Sequence, residues 1–315
     1  MVAALDFQHT PVMLQETLEG LNPHPGYVIA DGTVGGGGHA LEIIKRIIPG
    51  GFYIGVDKDP AAIEAAKQKL VAYTNSFKLV RRSYGQLPQV LNEMGIDEVD
   101  GFLFDLGVSS HQLDIPERGF SYMADAPLDM RMDPDGQLTA QEIVNQYSRE
   151  ELTRILRVYG EERWSSRIAA YIVQERQRQE ITSTEQLVAI IKKAIPAAAR
   201  RTGPHPAKRS FQALRIAVNN ELTELEETLQ RVIPRLRRGG RICVISFHSL
   251  EDRIVKQIFQ EFAKGCTCPP EIPVCVCGKQ SLIRIITRRP LEASREELEV
   301  NPRSRSAKLR VAEKL

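Results

Sequence analysis

Three short apolar runs that each end in an aspartate constrain the fold of this chain most strongly. The runs cover residues 27–30, 52–56 and 99–104, and they lead to Asp31, Asp57 and Asp105. The first two are each followed by a stretch whose apolar residues have helical spacing. Apolar strands that alternate with helices form a parallel sheet covered on both faces. Ligands of such sheets bind beyond the carboxyl ends of the strands, where these aspartates lie.

The alternating pattern stops near residue 116 and resumes near residue 211. Between these positions we predict helices only, over residues 139–146, 149–158, 161–179 and 184–195. From Phe211 to Leu229 the apolar residues step by three or four, which predicts one long amphipathic helix. Further strands are predicted over residues 77–80, 241–245, 282–287 and 307–312. We therefore predict a doubly wound, mostly parallel, seven-stranded α/β domain formed by residues 1–115 and 211–315, with an all-helical insert over 116–210.

Composition excludes several classes of protein. The chain has 315 residues, of which 42% are hydrophobic and 26% charged, as in folded globular domains. No apolar stretch approaches the roughly 20 residues that span a membrane, and the first residues lack the pattern of a signal peptide. We therefore expect a cytoplasmic protein with no membrane partner.

Basic residues are concentrated in segments without acidic residues, although the net charge is only +2. Such segregation favours contact with the phosphates of a nucleic acid, whereas the usual alternative is a solvated face. The three segments contain Lys192, Lys193, Arg200, Arg201, Lys208, Arg209 and Arg215; then Arg231, Arg235, Arg237, Arg238 and Arg241; and finally Arg303, Arg305, Lys308 and Arg310.

A glycine-rich loop over residues 31–39 joins the first strand to the first helix. Glycines let a ligand approach the backbone closely, and the amides at a helix start favour polar or anionic atoms. Asp57 lies 20 residues after Gly37, where a carboxylate accepts hydrogen bonds from ribose hydroxyls. This pattern fits either NAD or S-adenosylmethionine. Asp31 favours the second, because a carboxylate repels a pyrophosphate and attracts an ammonium group.

Asp105, Ser109 and Ser110 follow the fourth strand and are candidate catalytic residues. An exocyclic amine of a nucleobase is a poor nucleophile, so an enzyme must orient it and accept hydrogen bonds from its N–H groups. These side chains supply such acceptors. The segment lacks the two prolines and the aromatic residue of the common amino-methyltransferase pattern.

Eight motifs follow one another from about residue 9 to the last strand. They lie at residues 9–12 (HTPV), 31–39 (DGTVGGGGH), 105–114 (DLGVSSHQLD), 118–121 (RGFS), 127–133 (PLDMRMD), 159–163 (YGEER), 245–253 (ISFHSLEDR) and 301–306 (NPRSRS). In this order they resemble the motifs of the bacterial 16S ribosomal RNA cytosine-N4 methyltransferase family, over about residues 9–312. The resemblance implies a Rossmann-like class I methyltransferase that methylates N4 of a cytidine in the decoding region of the small-subunit RNA.

The same resemblance assigns residues to ligands. It implies that the insert recognises the substrate, 16S rRNA or the small ribosomal subunit, and a homodimer through the α/β domain is compatible with it. The residues implied to contact S-adenosylmethionine are Gly37, Gly38, His39, Asp57, Tyr84, Asp105 and Gln112. The candidate RNA-binding residues are Arg118, Phe120, Arg131, Lys208, Arg209, Arg303 and Arg305. Tyr122 and Phe211 are further candidates for stacking on a base. For each of the three aromatic residues, packing in the core is the alternative.

Two further features have competing interpretations. His248 follows the fifth strand and is a candidate catalytic residue near the target base; the alternative is a helix-capping turn with Ser249 as N-cap and Asp252 at the third helical position.

Four thiols at short spacing are candidate ligands of a zinc ion, although a reduced loop is the alternative. These are Cys266, Cys268, Cys275 and Cys277.

Two alternatives to the methyltransferase remain at this point. One is an NAD-dependent oxidoreductase that uses the same glycine loop. The other is a ribosome assembly factor that binds RNA without catalysis.

Overall fold

The computed structural model describes residues 11–201, 203–265 and 277–315. The chain divides into two compact units. The first comprises Met1–Gly107 with Leu222–Leu315, and the second comprises Val108–Glu221. Among the described residues, no helix has the length and apolar character needed to cross a membrane.

The first unit is built on an eight-stranded sheet. Its order is β3-β2-β1-β4-β5-β8-β6, with β7 paired to β8. The first five strands in this order are parallel, and β8 runs antiparallel to β5. The predicted fold class is confirmed, and only the two-residue β7 was not predicted. The strands are β1 (Val28–Asp31), β2 (Phe52–Asp57), β3 (Phe77–Arg81), β4 (Val99–Asp105), β5 (Leu236–Ser246), β6 (Ile283–Ile285), β7 (Leu291–Glu292) and β8 (Lys308–Lys314).

Alternate residues of the central strands pack on opposite faces of this sheet. Ala30 and Phe102 belong to the core on one face, and Ile29 and Leu103 to the core on the other. All four side chains are fully buried, as expected for a parallel sheet covered on both sides. The helices of this unit are α1 (Leu14–Leu21), α2 (Gly38–Ile47), α3 (Pro60–Lys69), α4 (Leu87–Glu93), α11 (Glu221–Val232), α12 (Ser249–Ala263) and α13 (Arg295–Val300).

The second unit is helical and has its own hydrophobic core. It begins before residue 116 and extends beyond residue 210, because Phe211 and Leu214 pack in this core and not against the sheet. Its helices are α5 (Ser110–Asp114), α6 (Ala140–Gln146), α7 (Arg149–Val158), α8 (Ser165–Arg176), α9 (Thr184–Ala194) and α10 (Lys208–Asn219).

The single helix predicted from Phe211 to Leu229 is wrong. Asn220 has φ 51° and ends α10 in the left-handed conformation, and α11 starts at the next residue. The Arg215 guanidinium donates two hydrogen bonds to the Glu221 carboxylate, at 2.9 and 2.8 Å. The apolar spacing continues across the break, so periodicity alone cannot reveal it.

Candidate functional site

The carboxyl ends of β1 and β4 are joined through one side chain of the glycine loop. Asp31 Oδ1 accepts a hydrogen bond from the Thr33 amide at 2.8 Å. The Thr33 hydroxyl in turn accepts one from the backbone amide of Asp105, at 2.6 Å. The strand order reverses between these two strands, which is where open α/β sheets bind their ligands.

Asp31 serves the protein scaffold. Its residue is only 1% exposed, and its Oδ2 accepts a hydrogen bond from the Tyr53 hydroxyl at 2.5 Å. Burial raises the pKa of Asp31 to about 6, against the opposing effect of hydrogen bonds from Tyr53 and Thr33. The expectation that Asp31 faces an ammonium group is therefore wrong, since its oxygens are enclosed and hold the loop.

Two glycines give the loop its shape. Gly35 and Gly37 have φ values of 50° and 76°, which favour glycine. A Cβ atom added to Gly35 would meet nothing closer than 3.9 Å, so the backbone is open on that side. Gly37 precedes α2 without a side-chain cap, so the first amides of this helix are directed to the loop. A polar ligand fits this arrangement.

Asp57 connects the glycine loop to the end of β2. Its Oδ2 accepts a hydrogen bond from the Gly35 amide and its Oδ1 one from the Asp59 amide, both at 2.9 Å. Burial raises the pKa of Asp57 to about 6. The residue is half-buried, so the carboxylate keeps access for further donors such as ribose hydroxyls.

Asp105 and His39 form a polar pair beside this loop. His39 Nε2 lies 3.0 Å from the Val12 carbonyl oxygen, which only accepts, so Nε2 carries a proton. His39 Nδ1 lies 3.7 Å from Asp105 Oδ2. Asp105 Oδ1 is buried and has no hydrogen-bond partner in the part of the chain that the structure describes. An unpaired buried acceptor is costly, so this atom fits a ligand that supplies an N–H donor.

Burial is the largest cause that raises the pKa of Asp105 well above its usual range. The negative charges of Asp31, Glu251 and Glu297 act in the same direction. A positively charged ligand would favour the ionised carboxylate and so offset this effect.

Tyr84 lies on the turn after β3 and meets the ring of Phe104 edge to face, with centroids 6.1 Å apart. Glu224 of α11 holds both neighbours of Tyr84. Its Oε1 accepts a hydrogen bond from the Ser83 hydroxyl and another from the Gly85 amide, the latter at 3.2 Å. Sequence reasoning missed Glu224, because the contact joins residues far apart in the chain and no local pattern marks it.

His248 is the N-cap of α12. Its Nδ1 accepts a hydrogen bond from the Glu251 amide at 3.3 Å, and Glu251 Oε2 accepts from the His248 amide at 3.2 Å. The prediction of a capping turn is therefore right, but its two residues are wrong by one position. The N-cap is His248 and not Ser249, and the third helical residue is Glu251 and not Asp252. Asp252 instead pairs with Arg310 at 2.7 Å. A role for His248 near the target base stays a prediction.

Ser109 and Gln112 form a capping box at α5 in the helical unit. Ser109 Oγ accepts from the Gln112 amide at 3.2 Å, and Gln112 Oε1 accepts from the Ser109 amide at 3.1 Å. The side chain of Ser110 lies outside the described part of the chain. The ligand roles assigned to these three residues stay predictions.

The predicted RNA-binding residues have different surroundings. Arg118 donates to the carbonyl oxygens of Arg131 and Met132, at 3.0 and 2.9 Å. The Arg131 guanidinium donates to the Asp129 carboxylate, with Nη2 2.7 Å from Oδ2. Phe120 is 6% exposed and packs in the helical core, as does Phe211. The exposed members of the set are Lys208, Arg209, Arg303 and Arg305.

Several other basic residues have partners within the fold. Arg310 is buried and paired with Asp252, and Arg241 pairs with Glu313 at 3.0 Å. Contact of the basic segments with RNA phosphates stays a prediction. These two arginines and several others have acidic or carbonyl partners in the fold. The others are Lys193, Arg215, Arg231, Arg235 and Arg237.

The proposed zinc ligands fall mostly outside the described residues. Cys266, Cys268 and Cys275 lie there, and Cys277 is exposed. A zinc site at these thiols stays a prediction.

Comparison with known proteins identifies the family. Residues 6–315 match the MraW methylase family. The chain belongs to this family. MraW methylases use S-adenosylmethionine, so the prediction of S-adenosylmethionine as the cofactor, and not NAD, is confirmed.

Relatives cover nearly the whole chain. It is 56% identical over 312 residues to the ribosomal RNA small subunit methyltransferase H of Heliobacterium mobile, covering 99% of this chain and 100% of that protein. It is 52% identical to the protein of the same name from Brevibacillus brevis, covering 100% of both. Among solved structures, an rRNA methylase from Streptococcus thermophilus is similar with a TM-score of 0.42 and 9% identity, covering 96% of this chain and 93% of that one.

Proposed function

We propose that this MraW methylase transfers a methyl group from S-adenosylmethionine to N4 of a cytidine in the decoding region of 16S ribosomal RNA. The buried Oδ1 of Asp105, which has no hydrogen-bond partner among the described residues, carries the proposal, because it is an acceptor suited to an N–H group at the carboxyl edge of the sheet. Ribosomal RNA as the substrate class is supported by the names of relatives that align with nearly the full chain.

The first unit would hold the cofactor, which supplies an activated methyl group bonded to a positively charged sulfur. Asp57 would accept hydrogen bonds from the ribose hydroxyls, since its carboxylate is fixed by the Gly35 amide and the residue is only partly buried. The Gly37–His39 segment would line the methionine portion. Tyr84 would lie beside the adenine, with its turn held by Glu224.

Asp105 would orient the target amine and accept its hydrogen bond as the reaction proceeds. The methyl carbon leaves sulfur and bonds to N4, and N4 loses a proton. Burial raises the pKa of Asp105 and so makes its carboxylate a stronger proton acceptor. His39 Nδ1 lies 3.7 Å from the other oxygen of Asp105, so a protonated His39 would attract this carboxylate. Ser109, Ser110 and His248 are proposed as further acceptors near the base.

We also propose that the helical unit, residues 108–221, recognises the RNA, in the form of 16S rRNA or the small subunit. The ribosomal substrate makes the cytoplasm the proposed site of action. A homodimer through the α/β unit is a separate proposal, and sedimentation velocity of the purified protein tests it directly.

Methylation of small subunits tests the function. Small subunits that lack the modification, incubated with S-adenosylmethionine carrying a labelled methyl group, should gain label on cytidine N4, identified by mass spectrometry of nucleosides. Asp105→Asn should reduce transfer by at least a hundredfold, the usual contribution of a group that handles a proton.

Asp97→Asn is the matched control, because Asp97 is exposed and lies before the amino end of β4. It should react like the wild type. Label on another atom, or wild-type turnover in Asp105→Asn, would contradict the proposal; RNA binding without any methyl transfer would instead support the assembly-factor alternative.

A further inference from the structure

Two aromatic rings from distant parts of the chain stack in the helical unit. The rings of Tyr122 and His205 are almost parallel, with centroids 4.7 Å apart and an interplanar angle of 7°. Phe211 meets the Tyr122 ring edge to face, at 5.7 Å and 83°. Phe211 is buried in the core, whereas Tyr122 and His205 are half-buried. The stack therefore extends from the core to the surface of this unit.

The outer ring is fixed from a second side. His205 Nδ1 accepts a hydrogen bond from the Ala207 amide at 3.3 Å, just before α10 begins at Lys208. Partial burial and the positive charge of Lys192 lower the pKa of His205, so the imidazole is neutral at neutral pH. A neutral ring held in this way is a preformed surface for stacking.

Three positively charged side chains lie near His205, either in space or along the chain. Lys192 of α9 is close enough to affect the His205 pKa and is exposed. Lys208 and Arg209 are exposed at the amino end of α10, where the helix amides add to the positive potential. Arg209 Nη1 donates to the Glu161 carbonyl oxygen at 3.1 Å, which restrains its guanidinium.

An aromatic surface beside exposed cations has a specific use in nucleic-acid binding. Proteins hold single-stranded RNA by stacking bases on aromatic rings while Lys and Arg contact the phosphates. A stack that only completed a hydrophobic core would have no need of exposed cations at its outer ring. Lys193, the neighbour of Lys192, is by contrast paired with Glu175 at 3.1 Å.

We propose that the Tyr122–His205 stack receives an unpaired base of the RNA substrate on its His205 side, while Lys192, Lys208 and Arg209 contact the adjacent phosphates. This inference rests on the proposed function, because it takes single-stranded ribosomal RNA as the ligand. It assigns a role in RNA binding to His205, which lies outside the eight sequence motifs described above.

Two substitutions of His205 separate stacking from helix capping. His205→Asn keeps an acceptor for the Ala207 amide but removes the ring, and His205→Phe keeps a ring but removes the acceptor. The probe is a fluorescein-labelled single-stranded RNA that contains the decoding-region cytidine, with binding measured by anisotropy. We expect His205→Asn to weaken RNA binding about tenfold, the order expected for one lost base–aromatic contact, and His205→Phe to retain most of the affinity.

Lys192→Ala and Lys193→Ala form a matched pair for the phosphate contacts. Lys192→Ala should lower the slope of log K against log salt by about 0.7, as expected for one lost contact to a single strand, and Lys193→Ala should leave it unchanged. Calorimetry with S-adenosylmethionine and thermal unfolding check that each variant keeps its cofactor site and fold.

Each outcome bears on a different claim. If His205→Asn binds the RNA as tightly as the wild type, or if His205→Phe is as weak as His205→Asn, the stacking surface is refuted. If the variants behave as expected but the wild type places no methyl group on cytidine N4, the proposed function fails while the RNA surface stands.

Discussion

The aspartates that end the parallel strands differ in their burial and in their partners. Asp31 and Asp57 both end strands and both have a pKa raised to about 6. Asp31 is enclosed and bonded to Tyr53 and Thr33, whereas Asp57 stays half-exposed. The sequence predicts the position of each carboxylate from its strand, but not which of them faces solvent, because that depends on side chains such as Tyr53 from a neighbouring strand.

The buried carboxylate of Asp31 makes stability depend on pH. Its pKa in the folded protein is about 6 against an ordinary value of 3.8, so the folded state holds the proton more tightly. Stability is therefore highest below pH 3.8 for this group and falls as pH rises towards 6, by about 3 kcal/mol. Asp31→Asn should remove this fall. Urea unfolding of both proteins at intervals between pH 4 and 7 measures it, and a difference that does not change with pH would contradict the prediction.

Glu224 should act on cofactor binding through the Tyr84 turn. Removing its carboxylate in Glu224→Ala leaves the Ser83 hydroxyl and the Gly85 amide without this acceptor, so the turn loses its fixed position. We expect S-adenosylmethionine to bind roughly tenfold more weakly, with kcat at saturating cofactor close to the wild type. Glu227→Ala, at an exposed position of the same helix, is the control. A fall in kcat with unchanged cofactor affinity would contradict a role of Glu224 in cofactor binding.

At the scale of elements, local patterns predict the parallel strands well and the helix boundaries less well. Strands β1, β2 and β4 and the glycine loop follow from short runs of sequence, because their burial and turns are determined locally. The break between α10 and α11 does not, since the apolar spacing continues and only Asn220 changes the backbone. Strand β7 has two residues and exists through its pairing with β8, which no local pattern contains.

Asn220 should tolerate glycine and resist alanine. At φ 51° a residue with a Cβ atom is strained, asparagine less than most and glycine not at all. Asn220→Ala should lower the free energy of unfolding by about 1 kcal/mol, and Asn220→Gly should leave it nearly unchanged. Asn220 is exposed, so little packing changes in either variant. Chemical denaturation measures both; equal stability of the two variants would show that the backbone conformation is not the cause.

Across the whole molecule, the arginines fall into two groups that composition cannot distinguish. Arg241 and Arg310 are tied to Glu313 and Asp252, which belong to β8 and α12. Arg305 is exposed in the segment between α13 and β8. A net charge of +2 therefore combines cations that hold the sheet together with cations that face solvent. We expect only the second group to contact the phosphates of an RNA.

This division predicts opposite phenotypes for two arginine substitutions. Arg305→Ala should lower the slope of log K against log salt for RNA binding by about 0.7–0.9 and leave thermal stability unchanged. One phosphate contact is lost, and no ion pair with a residue that the structure describes is broken. Arg241→Ala leaves Glu313 without one of its two arginine partners and removes the donor to the Gly20 carbonyl, so it should lower the melting temperature. Its salt slope should equal that of the wild type. Filter binding across a salt series, with thermal unfolding of the same samples, compares them. If Arg241→Ala reduced the slope as much as Arg305→Ala, Arg241 would contact an RNA phosphate despite its ion pair with Glu313. That result would contradict the division into two groups.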